Sequence, residues 1–293
     1  MNSTDTRPID APGAPTELVC WKVWGGNSRA TTPIRIPGLH GILHAAPHGG
    51  NHGGDLYYMS ACGSGAIARF CLADVAGHGE AAASISSWLE RTFSKQIHRE
   101  NPGAVLDEVN ELAVERGFQV MSTALCMSYN SLNGNLHFCN AGHPHIRVCR
   151  KGRNVWEELH PPSPNGNGLW NLPLGVTANA RYALGRVKLQ PGDRLLLYTD
   201  GLIEARDHSG DQIGDSLWNA TPTTGPPADA VARLLDQFHT RVGSSEAPQD
   251  DLTIVMLEVQ PFQKGNRLSL MFHNHIWKPL MRKLHRRPAL GKA

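Results

Sequence analysis

The sequence has no CxxC pair, no long apolar run and no acidic residue after Glu258. Its six cysteines, Cys20, Cys62, Cys71, Cys126, Cys139 and Cys149, are scattered. Their spacing suggests neither a zinc site nor a dithiol redox motif, and the default is free, mostly buried thiols. No stretch approaches the roughly 18 apolar residues of a membrane span. Residues 1–15 are polar and rich in Pro, Asp and Thr, without the apolar stretch of a signal peptide. They are expected to be disordered, and the protein to be cytoplasmic. The missing acid at the far end hides behind a net charge of +2: residues 261–293 carry +8 and the rest −6. A mildly acidic body with a basic tail argues against nucleic acid as a partner.

What remains reads as one folded unit, 16–260, followed by a basic extension, 261–293. Segment 17–24 alternates like a strand, and 40–54, rich in Gly and His, reads as a loop. Apolar runs at 55–60 and 66–73 flank Cys62-Gly63-Ser64-Gly65, a hairpin signature. Ala81, Ile85, Trp88, Leu89, Thr92 and Phe93 recur at near-helical spacing and predict a helix over 80–97. A second helix is expected at 102–116, with Pro102 early and Gly117 just past its end. Strands follow at 123–129 and 135–140 around Asn133-Gly134, a type I′ turn signal, and at 145–148 and 155–159. Further strands are expected at 182–189, 194–198 and 253–259, and a helix at 228–242 with Val231, Leu234, Leu235 and Phe238 on one face. This order is α+β with mainly antiparallel sheets, not an alternating βαβ pattern.

Four aspartates stand at the ends or starts of these strand-like runs: Asp55, Asp74, Asp200 and Asp250. Carboxylates at strand ends can be aimed at a common centre, and four together repel unless a cation sits between them. An oxygen donor set without cysteine suits Mg²⁺ or Mn²⁺ rather than Zn²⁺. Each has a bland reading too. Asp200-Gly201 makes a turn, Asp250 or Asp251 caps one, and Asp74 is a solvated strand end. Asp251 is left between ligation and orienting its neighbour.

The motifs that hold these residues occur in a fixed order. They are Gly53-Gly54-Asp55, Asp74-Val75-Ala76-Gly77-His78-Gly79, Asn140-Ala141-Gly142-His143-Pro144, Leu172-Pro173-Leu174-Gly175, Thr199-Asp200-Gly201 through Ala205, and Asp250-Asp251-Leu252-Thr253. In that order they resemble the metal-dependent (PPM-type, protein phosphatase 2C-like) serine/threonine phosphatases, and most closely the SpoIIE-like, sigma-factor-regulating bacterial branch. The resemblance implies two packed, mainly antiparallel β-sheets flanked by helices, an αββα sandwich. It implies two Mn²⁺ or Mg²⁺ ions, with Asp55 bridging both, Asp74 and the backbone carbonyl of Val75 on one side, and Asp200 and Asp250 on the other. A water between the ions would attack phosphorus in line, with His78 protonating the leaving oxygen. The implied substrate is a phosphoserine or phosphothreonine protein such as an anti-sigma-factor antagonist. Helix 80–97 is where this branch implies an activating partner. Other readings are a weakly active module that binds a phosphoregulator, against which four mutually repelling carboxylates speak, and a phosphatase of small phosphoesters.

Several features read as structural. Gly63-Ser64-Gly65-Ala66 partly matches a dinucleotide fingerprint but joins two strands. His40, His44, His48 and His52 recur every fourth residue, yet Gly41, Pro47, Gly49 and Gly50 break any helix there. Asn140 and His143 are expected to fix a turn in the second sheet. The chain departs from the family pattern at Leu56-Tyr57-Tyr58, where relatives often carry another acid, and at Asp211-Gln212-Ile213-Gly214. The tail mixes Trp277 and Phe272 with basic residues, which suits weak contact with an anionic membrane surface, an acidic partner, or a solvated extension.

Overall fold

Alternation along the longer strands sorts the side chains into an inner and an outer set. The computed structural model of the chain describes residues 16–17, 23–48, 51–61, 64–77, 80–96, 99–117, 121–163, 168–243 and 250–272. The strands are β1 (Thr16–Glu17), β2 (Val23–Ser28), β3 (Ala30–Ile36), β4 (Leu39–Ala46), β5 (His52–Ala61), β6 (Ile67–Val75) and β7 (Ser122–Asn130). They continue with β8 (Asn135–Ala141), β9 (Arg147–Cys149), β10 (Glu157–Glu158), β11 (Gly185–Lys188), β12 (Arg194–Tyr198) and β13 (Leu252–Val259). Among the described residues the α-helices are α1 (Glu80–Lys95), α2 (Pro102–Glu115), α3 (Pro227–Val242) and α4 (Arg267–Phe272).

The strands form a seven-stranded sheet, β1-β3-β4-β13-β12-β9-β10, and a six-stranded sheet, β11-β8-β7-β6-β5-β2. Every pairing is antiparallel except the short β1 against β3. The core between the sheets takes alternate residues from each strand: Tyr57 and Met59 of β5, Phe70 and Leu72 of β6, Leu125 and Met127 of β7, Leu195 and Leu197 of β12, Val255 and Leu257 of β13. The intervening residues face helices. Leu56, Tyr58, Ala73 and Val75 pack with Leu89 and Phe93 of α1 and Leu106 and Val109 of α2. Leu196, Tyr198, Ile254 and Met256 pack under Leu234 and Phe238 of α3. Strands buried on both faces read as continuous apolar runs, as β6 and β13 do. The αββα sandwich expected from the sequence is the observed fold.

Differences have local causes. Within 40–54, residues 40–46 and 52–54 are strand and not loop: β4 pairs along its whole length with β13 and from Leu39 to Ala45 with β3, and β5 begins at His52. Its composition conceals an alternating strand, with Leu39, Leu43 and Ala45 inward and Ile42 and Ala46 under α3. β3 carries Pro33 opposite Ile42, which breaks the sequence signal for a strand without ending the ladder. The Asn133-Gly134 hairpin is not a two-residue turn. Four residues, 131–134, connect β7 to β8, and the Gly134 N–H closes the turn on the Asn130 carbonyl at 2.8 Å. The three predicted helices stand as α1, α2 and α3, and Asn101 caps α2 by accepting the Gly103 N–H at 3.0 Å. Of the basic extension, α4 exposes Leu268 and Phe272. Residues 273–293, 1–15 and 18–22 lie outside the described residues, and with them the expected membrane contact of the tail. No helix among the described residues is long and apolar enough to cross a membrane.

Candidate metal centre

The inward parity that places leucines between the sheets continues to the strand ends at one edge of the sandwich. There it delivers polar side chains instead. Asp55 continues the Tyr57–Met59 row, Asp74 the Phe70–Leu72 row, Thr123 the Leu125–Met127 row, Thr199 the Leu195–Leu197 row, and Thr253 and Asp251 the Val255–Leu257 row. A period of two makes this placement a consequence of register.

Asp55 is buried, and its Oδ2 accepts two hydroxyls from the opposite sheet, Thr199 Oγ1 at 2.8 Å and Thr253 Oγ1 at 2.7 Å. The Thr199 hydroxyl in turn accepts the Thr253 N–H at 2.9 Å. Asp55 Oδ1 is buried with no hydrogen-bond partner. An orphaned carboxylate oxygen in that position is costly unless a ligand meets it. Thr253→Val is expected to cost about 1–3 kcal/mol, read as a lower urea midpoint of the metal-free protein.

Asp251 holds the backbone around Asp55. Its buried carboxylate accepts the backbone N–H of His48 at 2.6 Å, of Asp55 at 3.3 Å, and of Gly54. A Cβ on Gly53 would run into that carboxylate, and one on Gly54 would lie 2.9 Å from the Val75 carbonyl oxygen. From the other side, the buried Ser86 hydroxyl of α1 donates to the Gly54 carbonyl at 2.5 Å. Asn27 Nδ2 donates to the Gly53 carbonyl at 3.2 Å. The peptide before Asp55 is thus held by three other elements.

The carboxyl groups feel one another. Burial raises the Asp74 pKa to about 7, helped by Asp200, Asp250, Asp251 and Glu204. Asp55 is raised well above the ordinary carboxylate value by burial and then by Asp74. Asp200 is raised by burial, Glu204 and Asp250. Asp250 is exposed, and its Oδ1 accepts the Asp251 N–H at 2.7 Å. None of the ion pairs among the described residues involves these six acids. No three of the acids among the described residues form a finished ligand cage. They are neighbours with raised proton affinity, which is what a divalent cation would relieve. The all-oxygen donor set, the orphaned Asp55 Oδ1 and the absence of a compensating base among the described residues fit Mg²⁺ or Mn²⁺.

His78 lies outside the described residues. Sequence reasoning missed Thr199, Thr253, Ser86 and Glu204 as members of the site. Three of them, Thr199, Glu204 and Thr253, stand inside the motifs quoted for Asp200 and Asp250, and an inward parity count would have found the two threonines.

A family model described as Stage II sporulation protein E (SpoIIE) matches residues 64–260. The chain belongs to the SpoIIE family. Protein IcfG of Synechocystis sp. is 27% identical over 104 residues, a match covering 35% of this chain and only 15% of IcfG. The SiaA-PP2C domain of Pseudomonas aeruginosa superposes with a TM-score of 0.63 at 18% identity, over 74% of this chain and 85% of that one. The PP2C phosphatase domain of SpoIIE from Bacillus subtilis, with a regulatory fragment, gives 0.59 at 17% identity over 82% of this chain and 64% of that one. RsbX in complex with magnesium gives 0.58 at 14% identity over 79% of this chain and all (100%) of that one. These structural likenesses establish the PP2C-type fold of this SpoIIE-family chain.

Proposed function

We propose that this SpoIIE-family chain is a metal-dependent protein phosphatase that hydrolyses phosphoserine or phosphothreonine on a regulatory protein. The observation that carries the reading is the buried Asp55 carboxylate with its unpartnered Oδ1, in a cluster of acids that no base compensates among the described residues. Two divalent ions, Mn²⁺ or Mg²⁺, would be held by Asp55, Asp74, the Val75 carbonyl, Asp200 and Asp250. Magnesium in the RsbX relative supports a divalent cation. Such ions, when bound, lower the pKa of water and offset phosphate charge. The surroundings favour Asp74 over Asp55 as the carboxylate shared between them. Asp74 is coupled to Asp55, Asp200 and Asp250, whereas one oxygen of Asp55 is committed to Thr199 and Thr253.

The chain's own residues then have distinct tasks. Thr199 and Thr253 fix the Asp55 carboxyl plane so that Oδ1 faces the site. Asp251 and Ser86 hold the Gly54 peptide between them and set the start of β5. Protonation of the leaving serine oxygen is assigned to His78 on its place in the motif. The substrate class, an anti-sigma-factor antagonist or a similar phosphoprotein, follows the resemblance to the sigma-factor-regulating branch. An activating partner on α1 would act through Ser86 and through Asn27, which also donates to the Ala83 carbonyl of α1 at 3.5 Å.

The test is hydrolysis of a phosphoserine peptide and of para-nitrophenyl phosphate with Mn²⁺, with Mg²⁺ and with chelator. Activity should require metal and should fall by at least about a hundredfold in Asp55→Ala. Metal-independent turnover would remove the reading. Turnover of the small ester alone would favour a small-phosphoester phosphatase.

A further inference from the structure

The Asn140-Ala141-Gly142-His143-Pro144 turn reaches the site by a route that the four acids do not use. Asn140 closes the turn on both sides: its Oδ1 accepts the His143 N–H at 2.9 Å and its Nδ2 donates to the His143 carbonyl at 2.5 Å. Gly142 has φ +69, and a Cβ there would lie 2.8 Å from Pro173 Cγ, so the turn is pressed against the Leu172-Pro173-Leu174-Gly175 segment. Leu174 is itself bonded through both backbone groups to Ser122, the register partner of Val75. The turn therefore has little freedom, and its imidazole is aimed. His143 is buried, and its Nδ1 lies 2.7 Å from Thr123 Oγ1.

Thr123 is the cross-strand partner of Asp74 and shares its inward face. Same-face partners on antiparallel strands have Cβ atoms about 4.5–5.5 Å apart. Burial holds the His143 ring neutral, with its pKa lowered to about 3, while the Tyr198 backbone pulls the other way. Nε2 is itself buried without a hydrogen-bond partner, and with the single ring proton there Nδ1 accepts from the threonine hydroxyl. The hydrogen of Thr123 Oγ1 is then committed, and only lone pairs remain on the side of Asp74. Lone pairs beside a carboxylate repel it unless a donor or a cation lies between.

We propose that Thr123, oriented by His143, is a positioning residue that accepts a hydrogen bond from a water in the hydration sphere of a divalent cation beside Asp74. The inference rests on the metal-centre reading above and adds a residue to it. Thr123 touches no phosphate and supplies no ligand. It selects one orientation of a water on the β7 side of the cluster, and His143 fixes that choice from behind.

Mn²⁺ binding tests this, read as the loss of the free-ion signal in electron paramagnetic resonance, without substrate. Thr123→Val keeps the shape and removes the hydroxyl, and Thr123→Ser keeps the hydroxyl. The expected result is about a tenfold weaker Mn²⁺ affinity in Thr123→Val, about 1.4 kcal/mol, near wild-type affinity in Thr123→Ser, and similar thermal midpoints for all three. Wild-type affinity in Thr123→Val overturns the inference and leaves the metal centre standing. Equal weakening in Val and Ser variants also overturns it, since shape and not the hydroxyl would then matter. A wild-type chain that binds no Mn²⁺ overturns both readings.

Discussion

Asp74→Asn is expected to abolish metal-dependent hydrolysis of a phosphoserine peptide, by about a thousandfold or more, with the fold retained. The substitution keeps the size of the side chain and removes one charge from the most strongly coupled position in the cluster. Asp74 alone is influenced by Asp200, Asp250, Asp251 and Glu204 together, and it in turn influences Asp55. Loss of a shared ligand weakens both the retention of the ions and the offset of phosphate charge. The β6–β7 ladder around it, with the Asp74–Thr123 and Val75–Ser122 pairs, is made by backbone groups that Asn leaves alone. The measurement is initial rate at saturating Mn²⁺, paired with a circular dichroism spectrum. Turnover within tenfold of wild type in a folded variant would remove Asp74 from the centre.

The same substitution should act in the opposite direction on the stability of the metal-free protein. Asp74 titrates near 7 in the folded chain against an ordinary value of 3.8. A carboxyl with a raised folded pKa binds its proton more tightly when folded, so stability is greatest below the unfolded pKa and is lost as pH rises through the folded one. Metal-free wild type therefore loses stability from this group between about pH 4 and pH 7. His44, lowered to about 4, and His143, lowered to about 3, oppose this below about pH 6.5, because both are held neutral by burial. They are common to wild type and variant and cancel in the difference, which reports Asp74 together with its effect on Asp55. With chelator present, Asp74→Asn should gain on wild type by roughly 2–3 kcal/mol between pH 5 and pH 8. Adding Mn²⁺ should reverse the order at pH 8, because only the wild type is stabilised by binding. Urea midpoints at the two pH values, with and without Mn²⁺, read all four numbers. A difference that does not change with pH would show that Asp74 is not held protonated by its neighbours.

Much of this site is legible in the sequence because the acids sit beside glycines at strand ends, and such punctuation survives in a single chain. The helices α1 and α2 carry regular apolar spacing with a proline and a glycine at their limits, so local pattern and tertiary role agree. β3 and β4 were hidden for a physical reason. Pro33, Gly41, His40 and His44 are poor strand formers singly, and the pairing of β4 with β13 joins residues about two hundred positions apart. No window along the sequence contains both. Thr199 and Thr253 were overlooked because threonine is ordinary in strands. Only the facing of two sheets turns their hydroxyls onto Asp55. Asp251 illustrates the same point, since its neighbour Asp250 has the same chemistry but the opposite parity, exposed where Asp251 is buried.

The count of Mn²⁺ ions bound per chain bears most directly on the central claim. Isothermal titration of the chelator-treated protein at pH 7.5, repeated on Asp74→Asn and Asp200→Asn, should give two ions for the wild type and at least one fewer in each variant. A wild-type chain that binds none, or variants that bind as many ions as wild type with unchanged affinity, would contradict the reading of these carboxylates as a divalent metal centre.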